Sequence, residues 1–582
     1  MGGTPSGPDL FEGRLPQRSV GIEKGEAMHR LRIAQRNSLT VGLLVWLLSG
    51  SLAAVVPARA QTGNHPLLGG VRGVVKTTQG HLPEGMMVQL ISHKTAMRTT
   101  VFTDREGRYE FPKLDAGWYL LRIARPLEYK PYQRDSVWIE GAGALDDIGL
   151  EKMELVASEF LPPRPEILAQ LSDAEWLNNL PGTAFEKKTF ANVCGGGCHT
   201  WQQSLRNRFD EDGWRHMMDR MSKYGQRILV TPHPPGEYGG GSNPEKYETI
   251  RKFLTRVRGP NSEWPPMKAF ARPRGKATRV IITEYEFPRF DSRPHDVVGD
   301  AQGNIWYNSN RNPLMGKLDP RTGAVTEYKV PITPKRHTGQ HWLTIAKDGK
   351  IVFTETWSNN LGILDPRTGE IQKMPGIGGN KSLDPEGYVW GTCGGDSVCK
   401  FDPKTAKPIQ KYPMKISEGT YGNEVSPDGR YFGGGTPWQD SFDGLVFLDI
   451  QTGEVIEAPT PSGSADPSRG GFDPDGNLWT GGRGGLISVF DRRTKQVRDY
   501  VPPTPYVTFY EAKPDKNGEV WAGAQRGGRI VRLNPKTDEW TEYQFPEPIS
   551  LDWRTWVDNS TNPVTVWYGE HNGYLVRIQP LD

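Results

Sequence analysis

The chain has 582 residues, several times a typical domain, so several domains are expected. Its 68 glycines and 48 prolines exclude a helical bundle, because both residues break helix interiors, and its 10% aromatic content argues against disorder. A formal charge of +3 excludes nucleic-acid binding through bulk charge, and four cysteines are too few for a disulfide framework. What remains is a mainly β fold of many short strands joined by turns.

Residues 28–60 read as a secretory signal. Met28 precedes Arg30, Arg32 and Arg36, then an apolar run from Val41 to Leu48, extended by Leu52 to Val56. Ala58-Arg59-Ala60 is an A-x-A cleavage site, so cleavage is expected after Ala60. Residues 1–27 lie upstream, with Met28 as the expected start. An uncleaved anchor is the alternative, weakened by Ser49, Gly50 and Ser51. Cleavage removes seven basic and four acidic residues and leaves 64 of each, a neutral chain. The expectation is a periplasmic or secreted protein with no membrane contact beyond the signal and no nucleic-acid partner.

Residues 68–153 alternate apolar and polar residues at strand spacing, as in Val71 to Val75, Met87 to Ile91 and Tyr119 to Ile123. The run Thr103-Asp104, Gly107-Arg-Tyr-Glu-Phe111, Gly117 and Tyr119 resembles the carboxypeptidase regulatory-like family. That resemblance implies an immunoglobulin-like β-sandwich without catalysis, a spacer or docking module.

Residues 155–260 change character. Helical patterns cover Pro165 to Leu171, Asp212 to Tyr224 and Pro244 to Val257. Between them lies Cys194-Gly-Gly-Gly-Cys198-His199, one residue longer than the usual haem-attachment motif. Two thiols add to the haem vinyl groups and the adjacent histidine ligates iron. Three glycines let the longer loop present both sulfurs. A Cys194–Cys198 disulfide and a zinc site with only three obvious ligands are the alternatives. The motif resembles the C-x-x-x-C-H sites of some cytochromes c. With Trp214, Arg220 and Met221 it resembles short cytochrome c segments in which the last methionine is axial. The resemblance implies haem c held by Cys194, Cys198, His199 and Met221, with iron ligated by His199 and Met221. Met217 and Met218 share that helical face and are expected in the core; His216 is expected at the surface.

From residue 278 to 582 a repeat dominates. Units read Asp-x-x-Gly-x-aromatic, then a hairpin, then Asp-Pro-x-Thr-Gly, as in Asp300 to Trp306 and Asp319 to Gly323. Anchors at Trp306, Val352, Trp390, Phe432, Trp479, Trp521 and Trp567 lie 38 to 47 residues apart. This spacing predicts a seven-bladed β-propeller. The last unit lacks an outer strand, and Val280 to Phe287 is expected to supply it and close the ring. Cys393 and Cys399 flank a short hairpin and are expected to form a disulfide.

Eleven residues before the anchors stand His295, His341, Gly379, Tyr421, Ser468, Tyr510 and Trp556, one inner-strand position per blade. Glu355 and Glu570 follow their anchors by three. Imidazole beside carboxylate suits a divalent metal or acid/base chemistry. Arg293, His337, Lys381, Arg469 and Arg554 fall on inner-strand or mouth segments, where they attract an anion or are solvated. His295, His341 and Glu355 match three positions of the virginiamycin B lyase (streptogramin lyase) family, which the whole propeller resembles. That family implies Mg²⁺-dependent opening of a cyclic depsipeptide lactone, with His341 as acid/base and Glu355 and His295 at the metal. Its remaining carboxylate position is Gly339 here.

The expectation is an exported c-type cytochrome fused to a lyase-like propeller, in electron transfer or a redox reaction at the channel. A small-molecule or peptide-like channel ligand and a redox partner protein are implied. A Mg²⁺-dependent lyase and a non-catalytic scaffold are the alternatives.

Overall fold

The computed structural model describes residues 65–582 except 195–198, 228–243, 290, 311, 334–338, 356–357, 440 and 571. The signal, Cys198 and His337 therefore lie outside the described residues. No helix among the described residues is long and apolar enough to cross a membrane.

The repeated motif is a turn with its own clasp. In the first unit the Asp300 carboxylate accepts from the backbone of Asn304 and from Trp306 Nε1, both at 2.9 Å. Gly303 takes the left-handed conformation the turn requires, with φ +80°. The same indole clasp recurs at Asp384–Trp390, Asp473–Trp479 and Asp515–Trp521. One carboxylate thus satisfies the turn backbone and orients the buried anchor.

Each anchor lies in the second strand of a four-stranded antiparallel sheet. The first sheet is Pro294–Gly299, Ile305–Ser309, Leu314–Asp319 and Ala324–Lys329. Six more follow in chain order, with the last inner strand at Asp552–Asp558. Trp556 of the last sheet packs against Gly299 of the first, so the ring closes. Cys393 and Cys399 form the expected disulfide, with Cα atoms 5.8 Å apart.

Closure follows the sequence expectation. Val280–Glu286 pairs along Tyr574–Pro580 and completes the seventh sheet. Its other edge pairs with Arg98–Phe102 of the N-terminal sandwich. The last blade and one sandwich sheet are therefore one eight-stranded sheet, and the blade's outer edge is covered. The sandwich core includes Val75, Val88, Leu90, Leu121, Ile148 and Leu150. At the seam, Gln89 Nε2 donates to Glu284 at 3.1 Å. Burial pushes the Glu284 carboxyl up to about 8.

Among the described residues, six α-helices lie between sandwich and propeller: α1 Pro165–Leu168, α2 Asp173–Asn179, α3 Ala184–Val193, α4 Trp201–Leu205, α5 Glu211–Arg227 and α6 Pro244–Val257. The sequence pattern predicts α1 three residues too long, finds α5 and α6, and misses the short α2 to α4. Their legible signal is the capping box: Ser172 with Glu175 opens α2, and Thr183 with Glu186 opens α3. Trp176, Phe190, Trp201, Trp214 and Phe253 form the core of this segment. Two buried ion pairs from the first turn of α2 hold it in place. Glu175 pairs with Arg125 of the sandwich at 3.0 Å, and Asp173 pairs with Arg526 of the sixth blade at 2.8 Å.

Candidate functional site

Six of the seven inner strands carry a β-bulge. The bulged residues are His295–Asp296, His341, Gly422–Asn423, Ser468–Arg469, Tyr510–Glu511 and Trp553–Arg554. A bulge breaks strict alternation, so consecutive side chains turn toward one region. This is what gathers the channel cluster.

His341 is its centre. Its Nε2 lies 2.7 Å from the Tyr421 hydroxyl and 3.3 Å from the Tyr510 hydroxyl. The Tyr421 and Tyr510 hydroxyls hydrogen-bond to each other. His295 Nε2 lies 3.4 Å from Tyr510, and the two imidazole rings stand 4.6 Å apart. Trp553 stacks on His295 at 4.8 Å. The eleven-residue count selects Trp556 in this blade, whereas Trp553 occupies the cluster. The turn before Trp567 is longer, so the count slips by three residues.

Charged residues lie behind the rings. Arg469 Nη1 pairs with Asp296 at 2.5 Å, and Asp296 also bonds His295 Nδ1 at 3.0 Å. Burial opposes ionisation of Asp296, yet Arg469 and His295 hold its carboxyl well below the ordinary range. Glu511 faces Arg554 at 3.7 Å and Lys513 at 3.6 Å. Asp296 and Glu511 give no motif signal of their own, because each is simply the residue after a ring position.

Burial, then His295 and Arg469, push the His341 imidazole well below its ordinary value. Burial pushes Tyr421 up to about 12. A neutral imidazole thus faces a protonated phenol. His341 Nδ1 is buried with no hydrogen-bond partner among the described residues, and it carries the ring proton when Tyr421 donates to Nε2. This pair can exchange a proton with a bound molecule.

Glu355 does not join this cluster. Its carboxylate takes Lys373 Nζ at 3.2 Å, Asn360 Nδ2 at 2.7 Å and Thr333 Oγ1 at 3.3 Å. Glu570 accepts from the Leu551 backbone at 2.9 Å. Among the described residues no group of three or more His, Cys, Asp or Glu can hold a metal ion. Glu355 already has a cation of its own, so His295 and Glu355 as placed do not fit a Mg²⁺ site. Arg293 is exposed.

At the cysteine motif, Cys194 caps α3 and is partly buried; burial pushes its thiol up to about 12. His199 Nδ1 lies 2.9 Å from the Thr200 carbonyl, which fixes Nδ1 as donor and leaves Nε2 as the nitrogen with a lone pair. The His199 carbonyl accepts from Arg526 Nη1 at 2.8 Å. Met221 is 40% exposed, whereas Met217 and Met218 pack on the helical core beside Cys194, as expected for them. One residue stands out here. Arg258 is fully buried over Trp264, and all three of its guanidinium nitrogens lack a hydrogen-bond partner among the described residues. Such a cation calls for an anion, and a haem propionate is one that suits it.

Residues 70–147 match the carboxypeptidase regulatory-like domain. The structure is similar to virginiamycin B lyase from Staphylococcus aureus, at 17% identity and TM-score 0.44, over 52% of this chain and 99% of that one. It is similar to a streptogramin B lyase at 20% identity and TM-score 0.43, over 52% and 99%. It is also similar to Kuenenia stuttgartiensis hydrazine synthase, at 13% identity and TM-score 0.40, over 51% and 98%. No curated protein matches the chain.

Proposed function

We propose that this is an exported electron-transfer protein in which a c-type haem segment is fixed to a ligand-binding propeller. One observation carries the reading: Arg526 of the sixth blade bonds both Asp173 and the carbonyl of His199. Arg526 follows Gln525, whose strand partner is Thr508, two residues before Tyr510 of the channel cluster. The candidate iron ligand and the channel are thus joined through one blade.

When bound, haem c supplies a reversible one-electron couple. The chain's own residues do the rest. Cys194 and Cys198 anchor the group, and Thr200 orients the His199 ring. Arg258 neutralises a propionate. Met221 is the proposed sixth ligand, at the end of the Trp214, Met217, Met218 stripe. In the channel, Tyr421 and His341 hold and move a proton on the bound molecule.

The test is expression in a host with periplasmic cytochrome c maturation. The expected product has haem that survives denaturation, a reversible redox couple, and a mature N-terminus at Gln61. Colourless protein would remove the haem reading, and a start far from Gln61 the export reading.

The Tyr421–His341 contact favours a second reading, acid–base chemistry without redox change. Turnover of cyclic depsipeptides that is lost in His341→Ala would support it; the Mg²⁺ requirement of the sequence expectation lacks a fitting site. A third reading, a non-catalytic scaffold, predicts a partner that binds equally well with or without haem.

A further inference from the structure

Lys381 fills a gap in the channel ring. The third blade's ring position is Gly379, which has no side chain. The Lys381 ammonium lies 3.9 Å from where a Cβ at Gly379 would stand. The amine therefore stands beside the third blade's ring position, and its charge lowers the His341 imidazole less than burial, His295 and Arg469 do.

The other basic side chains of this ring are neutralised. Arg469 has Asp296, and Arg554 has Glu511. Lys381 is only 6% exposed. Its one hydrogen bond is to the Asn380 carbonyl, at 3.3 Å, and no carboxylate among the described residues pairs with it. A buried ammonium without a counter-charge is costly, and an incoming anion removes that cost. Two further buried groups in the ring have donor capacity and no acceptor: His341 Nδ1 and the Ser468 hydroxyl. The ring thus holds unused donors, and its aromatic side chains Tyr421 and Trp553 are partly exposed.

We infer that the channel binds a small organic carboxylate, its anionic end on Lys381 and its body against the aromatic rings. This deepens the channel-ligand part of the function proposed above and does not depend on haem.

The experiment is calorimetric titration of the full mature chain with sodium benzoate, with benzamide as the neutral isostere and sodium chloride as the ionic-strength control. Lys381→Met and Lys381→Arg are compared with the parent, each checked by thermal melting. Benzoate is expected to bind the parent at least tenfold more tightly than benzamide. Lys381→Met is expected to lose at least tenfold for benzoate and little for benzamide, while Lys381→Arg retains most of the affinity. Equal binding of benzoate and benzamide overturns the carboxylate assignment and leaves the channel as a ligand site. Unchanged benzoate binding in Lys381→Met overturns the role of Lys381. If Lys381→Met does not fold, the Arg variant and the benzamide comparison decide. Failure of both probes to bind the parent overturns the inference and counts against a channel ligand altogether.

Discussion

Replacing Arg526 by Met tests how the helical segment is held to the propeller. Arg526 is 1% exposed and its partner Asp173 is fully buried. Two hydrogen bonds of 2.8 Å disappear, one to Asp173 Oδ2 and one to the His199 carbonyl. Methionine fills much of the same volume, so the packing loss is small. The main cost is Asp173, left buried with the Gln202 amide at 3.2 Å as its remaining hydrogen-bond donor among the described residues. Breaking a buried pair in this way costs about 3–5 kcal/mol. Asp173→Asn alone removes the counter-charge of the guanidinium, which keeps its bond to the His199 carbonyl, and is expected to cost a similar amount. The double variant has neither orphan charge, so its loss is expected to be well below the sum of the two. Urea denaturation followed by tryptophan fluorescence measures all three, and limited proteolysis shows whether residues 155–260 detach first. If Arg526→Met costs less than about 1 kcal/mol, or the two losses simply add, the pair does not act as a buried clamp.

Glu284 gives a pH prediction. Its folded value, about 8, lies above its ordinary value of 4.5. The unfolded chain therefore releases the proton first, and stability falls as pH rises from about 4.5 to 8, by a few kcal/mol. Melting temperature is expected to drop over that window in the parent and to stay flatter in Glu284→Gln; identical profiles would contradict the assignment. Asp384→Ala removes the acceptor for Trp390 Nε1 at 2.8 Å and for the Tyr388 amide at 2.8 Å. The expected loss is about 2–3 kcal/mol in chemical denaturation, and a loss near zero would mean the clasp is decorative. Tyr421→Phe removes the shortest bond to His341 and should cost about 1 kcal/mol or less. Nitrogen NMR of the His341 ring should then change, and an unchanged spectrum would show that Tyr421 does not set the tautomer. Reduction of Cys393–Cys399 reopens a hairpin with a sequence separation of 6 and is expected to cost roughly 2 kcal/mol. Melting with and without reductant measures it.

The sequence by itself determined the strand grammar. Asp-x-x-Gly-x-Trp encodes a local clasp whose members lie six residues apart, such as Asp300 and Trp306, so its chemistry is visible without the fold. The same holds for the missing outer strand, since Thr283-Glu284-Tyr285 of Val280–Glu286 repeats Thr326-Glu327-Tyr328 of the first blade's outer strand. The disulfide was legible because Cys393 and Cys399 flank one turn. Counting back from the anchors found His295, His341, Tyr421 and Tyr510, because a repeat puts equivalent residues on one ring.

Tertiary structure alone decided the rest. Bulges break the period-two rule, so Asp296 and Arg469 come together across 173 positions of sequence. No local pattern marks such a pair. A longer turn moved Trp553 into the place that counting gives to Trp556. Glu355 matched a motif position, but Lys373, two strands away on the outer strand of the same blade, claims its carboxylate. The eight-stranded seam and the Arg526–Asp173 clamp join domains, and a charge's value there depends on who else is buried beside it. Periodicity fixes which face a residue takes; only the assembled blades fix which charges face no counter-charge among the described residues, and Lys381 is one of these.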